Sequence, residues 1–259
     1  MTMAKTSLRL NRVGIGDLRS FIAAGFGDFL KAAPFDLVFG GLFAAGGWLL
    51  IALLVKFHLP FLAYPLAMGF ALVAPFGAVA FYAVSDLQGR GEPLSFGALA
   101  RRIARAARGD LRWMSLVTGF ALVIWMDIAA FIFFGFVGLN GFTPDFFINL
   151  VSSPSGVAFL IIGNAVGALI AVCVFSISVI SFPMLFDRDV DFITAMTTSV
   201  RLVRENPATM LLWCFLIGLS VAISVATALL SLLVLLPVIG HATWRLYRHV
   251  ADADSSAPR

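Results

Sequence analysis

Apolar residues do not alternate with polar ones along most of this chain; they run on for stretches long enough to cross a bilayer. A hydrocarbon core about 30 Å thick needs roughly 20 such residues at about 1.5 Å each. Four runs meet that length, from Phe35 to Val55, Phe61 to Val84, Trp113 to Val137 and Val157 to Phe186. Without water, backbone groups must be satisfied inside the segment, and the alternation of barrel strands is absent, so these runs predict membrane-spanning helices.

The last run, Ala208 to Gly240, reads either as one steeply tilted helix or as two tight spans joined near Ala226 to Ser231. Positive charge concentrates on the cytoplasmic side of short loops, and this chain has 18 Lys and Arg to count. Lys5, Arg9, Arg12, Arg19 and Lys31 precede the first span, and Lys56 alone lies in the first hairpin. Arg90, Arg101, Arg102, Arg105, Arg108 and Arg112 separate spans two and three, whereas Gly138 to Gly156 carries no Lys or Arg. Arg188, Arg201 and Arg204 precede the last run; Arg245, Arg248 and Arg259 follow it. Six spans place 17 of the 18 inside, while five would put the last three outside with Lys56. Six spans with both termini cytoplasmic are therefore expected, at about 35–55, 61–84, 113–137, 157–186, 208–226 and 229–248.

Each pair of spans follows a segment of helical periodicity too polar to cross: Gly16 to Ala33, Ser95 to Arg112 and Asp191 to Asn206. In the second, Phe96, Leu99, Ile103 and Ala107 share one face and Arg101, Arg102, Arg105 and Arg108 the other, which predicts a helix lying in cytoplasmic headgroups. In the third, Phe192, Met196, Ser199 and Val203 oppose Thr194, Thr197, Arg201 and Arg204, with Asp191 as N-cap and Asn206-Pro207 as stop. In the first, Lys31-Ala-Ala-Pro34 is expected to close the amphipathic helix before the span. The fold class predicted is all-α, a polytopic membrane bundle of three hairpins, each preceded by a cytoplasmic amphipathic helix.

Composition agrees. Of 259 residues, 61% are hydrophobic and 12% charged, and the 26 Phe and 23 Gly suit lipid-facing surface and close helix contact. Met1 to Gly14 has no apolar stretch followed by a small-residue cleavage site, so no cleaved signal peptide is expected. The chain divides into a cytoplasmic tail (1–14), one membrane domain (15–250) and a disordered C-terminal tail (251–259), in a bacterial inner membrane. Cys173 and Cys214 match no metal or redox spacing and read as buried small apolar residues. No nucleic-acid-binding pattern is present; the expected partners are the bilayer, its anionic headgroups and an unidentified membrane protein.

The candidate intramembrane polar site is Asp127 with Asn164. An aspartate at a helix centre costs about 2.5–3.5 kcal/mol on insertion scales. Asn164 falls within about one turn of the same depth if the spans are antiparallel, so the two are expected to meet. The pair reads either as a titrating or substrate-contacting site or as a packing contact. Asp187-Arg-Asp-Val-Asp191 resembles the start of a calcium loop, but Phe192 and Thr198 stand where Gly and Glu are required, so a charged turn and cap is expected. His241, Trp244, Arg245, Tyr247 and Arg248 read as an interfacial anchor. Arg101, Arg102, Arg105, Arg108 and Arg112 are the expected lipid-headgroup contacts. Gly40, Gly41, Ala44, Ala45, Gly163 and Gly167 offer small faces for helix packing.

The chain resembles a family of bacterial integral membrane proteins known as a domain of unknown function, family 2189. The resemblance spans Arg12 to Arg248 and rests on Phe29-Leu-Lys-Ala-Ala-Pro34, on Phe182-Pro-Met-Leu-Phe-Asp-Arg-Asp-Val-Asp-Phe192, and on Arg204-Glu-Asn-Pro207. Leu236-Pro-Val-Ile-Gly-His-Ala-Thr-Trp-Arg-Leu-Tyr-Arg248 is its most distinctive stretch. It implies a membrane protein without an assigned mechanism. Some members carry a cytochrome-oxidase label, but haem and copper need several buried His ligands, and this chain has only His58, His241 and His249. No cofactor is expected. With no Ser-His pair, zinc spacing or phosphate loop legible, the expectation is a non-enzymatic scaffold, assembly or lipid-organising component; the alternative is a small-solute transporter or channel using Asp127 and Asn164.

Overall fold

The computed structural model describes residues 10–58, 63–138 and 146–251. Regular structure in these residues is helical throughout: α1 (Ile15–Lys56), α2 (Ala63–Gly89), α3 (Phe96–Ala107), α4 (Leu111–Phe136), α5 (Phe146–Ser152), α6 (Pro154–Ser178), α7 (Ser181–Asp187), α8 (Phe192–Glu205), α9 (Pro207–Ala226) and α10 (Leu232–Ala251). Among the described residues, α1, α4, α9 and the stretch Pro154–Asp187 are long and apolar enough to cross a membrane. Most of both tails, 1–9 and 252–259, lies outside the described residues.

The expected amphipathic helices are separate at α3 and α8, but the first is not. α1 continues through Pro34 for 42 residues, so Lys31 to Pro34 does not close a helix. A proline inside a helix removes one backbone bond and crowds the preceding turn. Here Phe29, Ala32 and Asp36 are buried on both sides of it, and that packing keeps the helix whole. At about 1.5 Å per residue α1 is roughly 63 Å long, twice the hydrocarbon thickness.

A second departure falls within 157–186, where α6 ends at Ser178 and α7 restarts at Ser181. Pro183 has no N–H, so a continuous helix would strand the Val179 carbonyl; restarting places Pro183 in a first turn, where that N–H is spare. The Ile180 N–H instead donates to Ser199 Oγ at 3.4 Å.

Local signals set the starts of α3 and α8, the second at the expected cap. Ser95 Oγ accepts the Ala98 N–H at 3.2 Å to start α3, and Asp191 Oδ1 accepts that of Thr194 at 2.8 Å to start α8. Pro207 opens α9. The turn at 227–231, with Ala228 and Leu229 in left-handed conformations, separates α9 from α10 where the sequence predicts a join. The buried face of α8 is Ala195, Thr198, Ser199 and Leu202, rotated from the expected one so that Phe192, Met196 and Val203 are only half-buried.

The most extensive pairing is between the first helix and the last, α1 against α10, running antiparallel from Asp28–Arg245 to Trp48–Ala228. Gly25 and Gly40 permit it: a Cβ on Gly25 would stand 2.8 Å from the Val238 carbonyl oxygen, and one on Gly40 3.2 Å from Leu233 Cα. Of the expected small faces, Gly40 and Ala44 are thus buried, and Gly167 receives the Trp125 ring, whereas a Cβ on Gly163 would meet nothing. The main core includes Phe81, Tyr82, Phe182, Trp213 and Tyr247, and a smaller cluster of Trp125, Ala129 and Val174 joins α4 to α6. Cys214 packs against the main core, but Cys173 is exposed, which corrects its expected burial; in an apolar span lipid satisfies it as well as protein does.

Candidate functional site

Three helices bring together an aspartate, a histidine and a serine that are far apart in sequence. His241 on α10 is fully buried, as is Asp36 on α1, and Ser85 on α2 is 3% exposed. His241 Nε2 lies 2.8 Å from Asp36 Oδ2, and Nδ1 lies 2.7 Å from Ser85 Oγ. With Asp36 ionised, Nε2–H donates to the carboxylate, and Nδ1 accepts the Ser85 hydroxyl in the neutral ring or donates to Oγ in the imidazolium; with Asp36 protonated, its hydroxyl donates to Nε2 and Nδ1–H donates to Ser85 Oγ. Phe81, one turn before Ser85, sets its ring edge-on to the imidazole at 5.9 Å. Asp36 Oδ1 is buried without a hydrogen-bond partner among the described residues.

Ion pairs surround this chain on the side where α2 and α10 end. Arg245, one turn beyond His241, grips buried Asp28 with two parallel bonds of 2.9 and 2.7 Å. Asp86, next to Ser85, binds Arg90 at 2.9 Å and also Arg102 of α3. Tyr247 donates its hydroxyl to Asp187 at 2.6 Å, with Arg248 3.6 Å from the same carboxylate. Trp244 stacks on Tyr82 at 5.9 Å. Of the residues expected to anchor at the interface, His241, Trp244 and Tyr247 are instead buried among α1, α2 and α7, with His241 bonded to Asp36 and Ser85 and Tyr247 to Asp187.

Arg102, expected among the headgroup contacts, pairs with Asp86 and lies over the Phe186 ring at 5.8 Å, where burial pulls its pKa below the usual arginine value. Arg101, Arg105 and Arg108 are exposed and form no ion pair or hydrogen bond among the described residues, and exposed Arg112 lies over Trp113 at 5.5 Å. The acidic turn behaves as a cap: the hydroxyl and N–H of Thr194 hold Asp191 below the usual carboxylate range.

Asp127 and Asn164, expected to meet, share no hydrogen bond or ion pair among the described residues; both are exposed, and Asn164 donates to its own helix at the Leu160 carbonyl, 2.8 Å away. Asp127 points away from the bundle because Thr118, Trp125, Ala129 and Ile132 occupy the inward face of α4.

The central helices of this arrangement, α2 to α7, supply Ser85, Asp86, Arg102 and Asp187. Residues 63–187 match the family DUF2189, described as a predicted integral membrane protein. The DUF2189 stretch includes part of the Phe182 to Phe192 motif, whereas Phe29 to Pro34, Arg204 to Pro207 and Leu236 to Arg248 lie outside it. Asp36 and His241 also lie outside, so the buried chain joins the DUF2189 stretch to the helices flanking it. No curated protein and no solved structure matches the chain.

Chemically, the three residues form one continuous hydrogen-bonded chain, Asp36–His241–Ser85. Their order matches a nucleophile, base and carboxylate, but burial holds the serine away from an outside substrate. Sequence reading found no Ser-His pair because the partners lie 156 and 205 positions from His241. One signal was available: Asp36, like Asp127, sits inside an apolar run, where a carboxylate needs a partner.

Proposed function

We propose that this is a non-catalytic, six-crossing protein of a bacterial inner membrane, both termini cytoplasmic, that organises anionic lipid at the cytoplasmic face. The observation that carries this reading is the arginine face of α3 and the start of α4. Arg101, Arg105, Arg108 and Arg112 recur at helical spacing and are exposed, while the internal carboxylates are taken up by other residues. Each such cation near an anionic leaflet contributes about 1 kcal/mol. A groove of about 590 Å³ between α1 and α9, lined by Leu18, Ile22, Phe26, Leu212 and Leu216 with Arg19, suits an acyl chain beneath a negative headgroup. The 27 residues of α2 and the 20 of α10 are long enough to supply the fifth and sixth crossings.

The test is native mass spectrometry of lipid retained after reconstitution in mixed phosphatidylglycerol and phosphatidylethanolamine. The wild-type chain is expected to retain phosphatidylglycerol preferentially. The combined Arg101→Gln, Arg105→Gln, Arg108→Gln and Arg112→Gln variant should lose that preference by about tenfold or more. Equal retention by folded variant and wild type would overturn the lipid reading.

A further inference from the structure

We infer that the groove between α1 and α9 is a discrete site for one anionic phospholipid, with an acyl chain in the groove and the phosphate among Arg12, Arg19 and Arg204. This rests on the lipid reading above and adds to it a single site, built without any residue of α3 or α4. Two buried hydrogen bonds fix its depth. The Val13 N–H donates to Asn206 Oδ1 at 3.0 Å, and Thr209 Oγ1 donates to the Val13 carbonyl at 3.0 Å, so α1 begins level with the start of α9. From that end the apolar wall continues through Ile15, Ile22 and Phe26 on α1 and through Leu212 and Leu216 on α9. Leu216 lies about 14 Å along α9 from Pro207, close to half of a hydrocarbon core about 30 Å thick. The groove therefore has the length of one leaflet's acyl chain, not that of a crossing helix.

Charge selects the headgroup. Arg19 lines the groove, Arg12 adjoins Val13, and Arg204 stands two residues before Asn206; all three are exposed. None of these side chains forms an ion pair or hydrogen bond among the described residues. The carboxylates at this end are engaged elsewhere, since Asp17 accepts the Gly14 N–H at 2.8 Å and Glu205 lies 3.7 Å from Arg201. Phosphate oxygens accept from several guanidinium groups at once, so free arginines above an apolar slot complement a negative head on a long apolar tail. A two-fold contact with a second copy would instead set these like charges together.

The experiment uses the full chain reconstituted in phosphatidylglycerol and phosphatidylethanolamine, with a diazirine at the acyl-chain end of the phosphatidylglycerol. Labelled peptides are mapped, and lipids retained after delipidation are counted by native mass spectrometry. One phosphatidylglycerol per chain is expected, with label concentrated on the peptides carrying Phe26 and Leu216. Ala23→Phe, at an exposed position in the groove wall, should fill the slot and cut retention by about tenfold in chain that stays folded on size exclusion. Arg19→Gln should lower the preference for phosphatidylglycerol by about fivefold, the worth of one cation beside an anionic headgroup. The variant lacking Arg101, Arg105, Arg108 and Arg112 should keep this lipid. Label spread evenly over α4, α6 and α9, or retention unchanged by Ala23→Phe, overturns the site and leaves the lipid preference of the α3 face standing. A wild-type chain with no preference for phosphatidylglycerol overturns both. A free fatty acid retained in its place, or a second copy cross-linked at Phe26, overturns the phospholipid in favour of that occupant.

Discussion

His241→Leu is expected to destabilise the folded bundle by about 3–5 kcal/mol, because removing one partner of a buried pair leaves the other uncompensated. Asp36 is fully buried, and one of its oxygens already has no partner among the described residues. Loss of the imidazole would strand the second oxygen, whose one hydrogen bond among the described residues is the 2.8 Å contact to Nε2. Ser85 suffers less, since a helical serine can turn its hydroxyl to a carbonyl one turn back, as Ser176 and Ser220 do here. The contrasting variant is the double replacement Asp36→Leu, His241→Leu. Removing both partners in favour of apolar side chains should recover most of the loss. Thermal unfolding in mild detergent, followed by the folded fraction on size exclusion, distinguishes the cases. If His241→Leu unfolds with the wild type, the three-residue chain is not a structural lock.

The second large effect is expected at Gly25. Its absent side chain leaves room for two backbone atoms of α10, the Val238 oxygen and the Ala242 nitrogen, each 2.8 Å from where a Cβ would stand. Backbone held inside a helix cannot swing aside as a flexible side chain can, so Gly25→Ala must push α1 and α10 apart. Overpacking of this kind costs typically about 1–3 kcal/mol. Gly27, on the same helix, is the internal control. A Cβ there meets nothing within 4 Å, so Gly27→Ala should be neutral or stabilising by about 0.5–1 kcal/mol through helix propensity. The same unfolding assay should rank Gly25→Ala below wild type and Gly27→Ala at or above it. Equal behaviour of the two variants would mean that the α1–α10 contact is looser than the structure has it.

Apolar run length placed α4 and α9 to within two residues, because crossing the hydrocarbon constrains each helix by itself. Asp191, Asn206-Pro207 and the turn after Ala226 were legible for a similar reason, since caps and proline act on neighbouring backbone only. The continuity of α1 through Pro34 was not legible. Proline's local cost argues for a stop, and only burial of Phe29, Ala32 and Asp36 reverses it.

The candidate site separates the two kinds of information more sharply. Sequence alone determined that this is a helical membrane protein, which runs can cross, and that a carboxylate such as Asp127 within a span demands explanation. Those conclusions follow from the solvent, which every residue meets individually. Tertiary structure alone decided that α1 lies against α10, that Asp36 and Ser85 meet across His241, that Arg102 turns inward, and that Asp127 faces out. Each depends on which helix packs on which and through what rotation, and periodicity describes a helix's faces without naming the neighbour a face will meet.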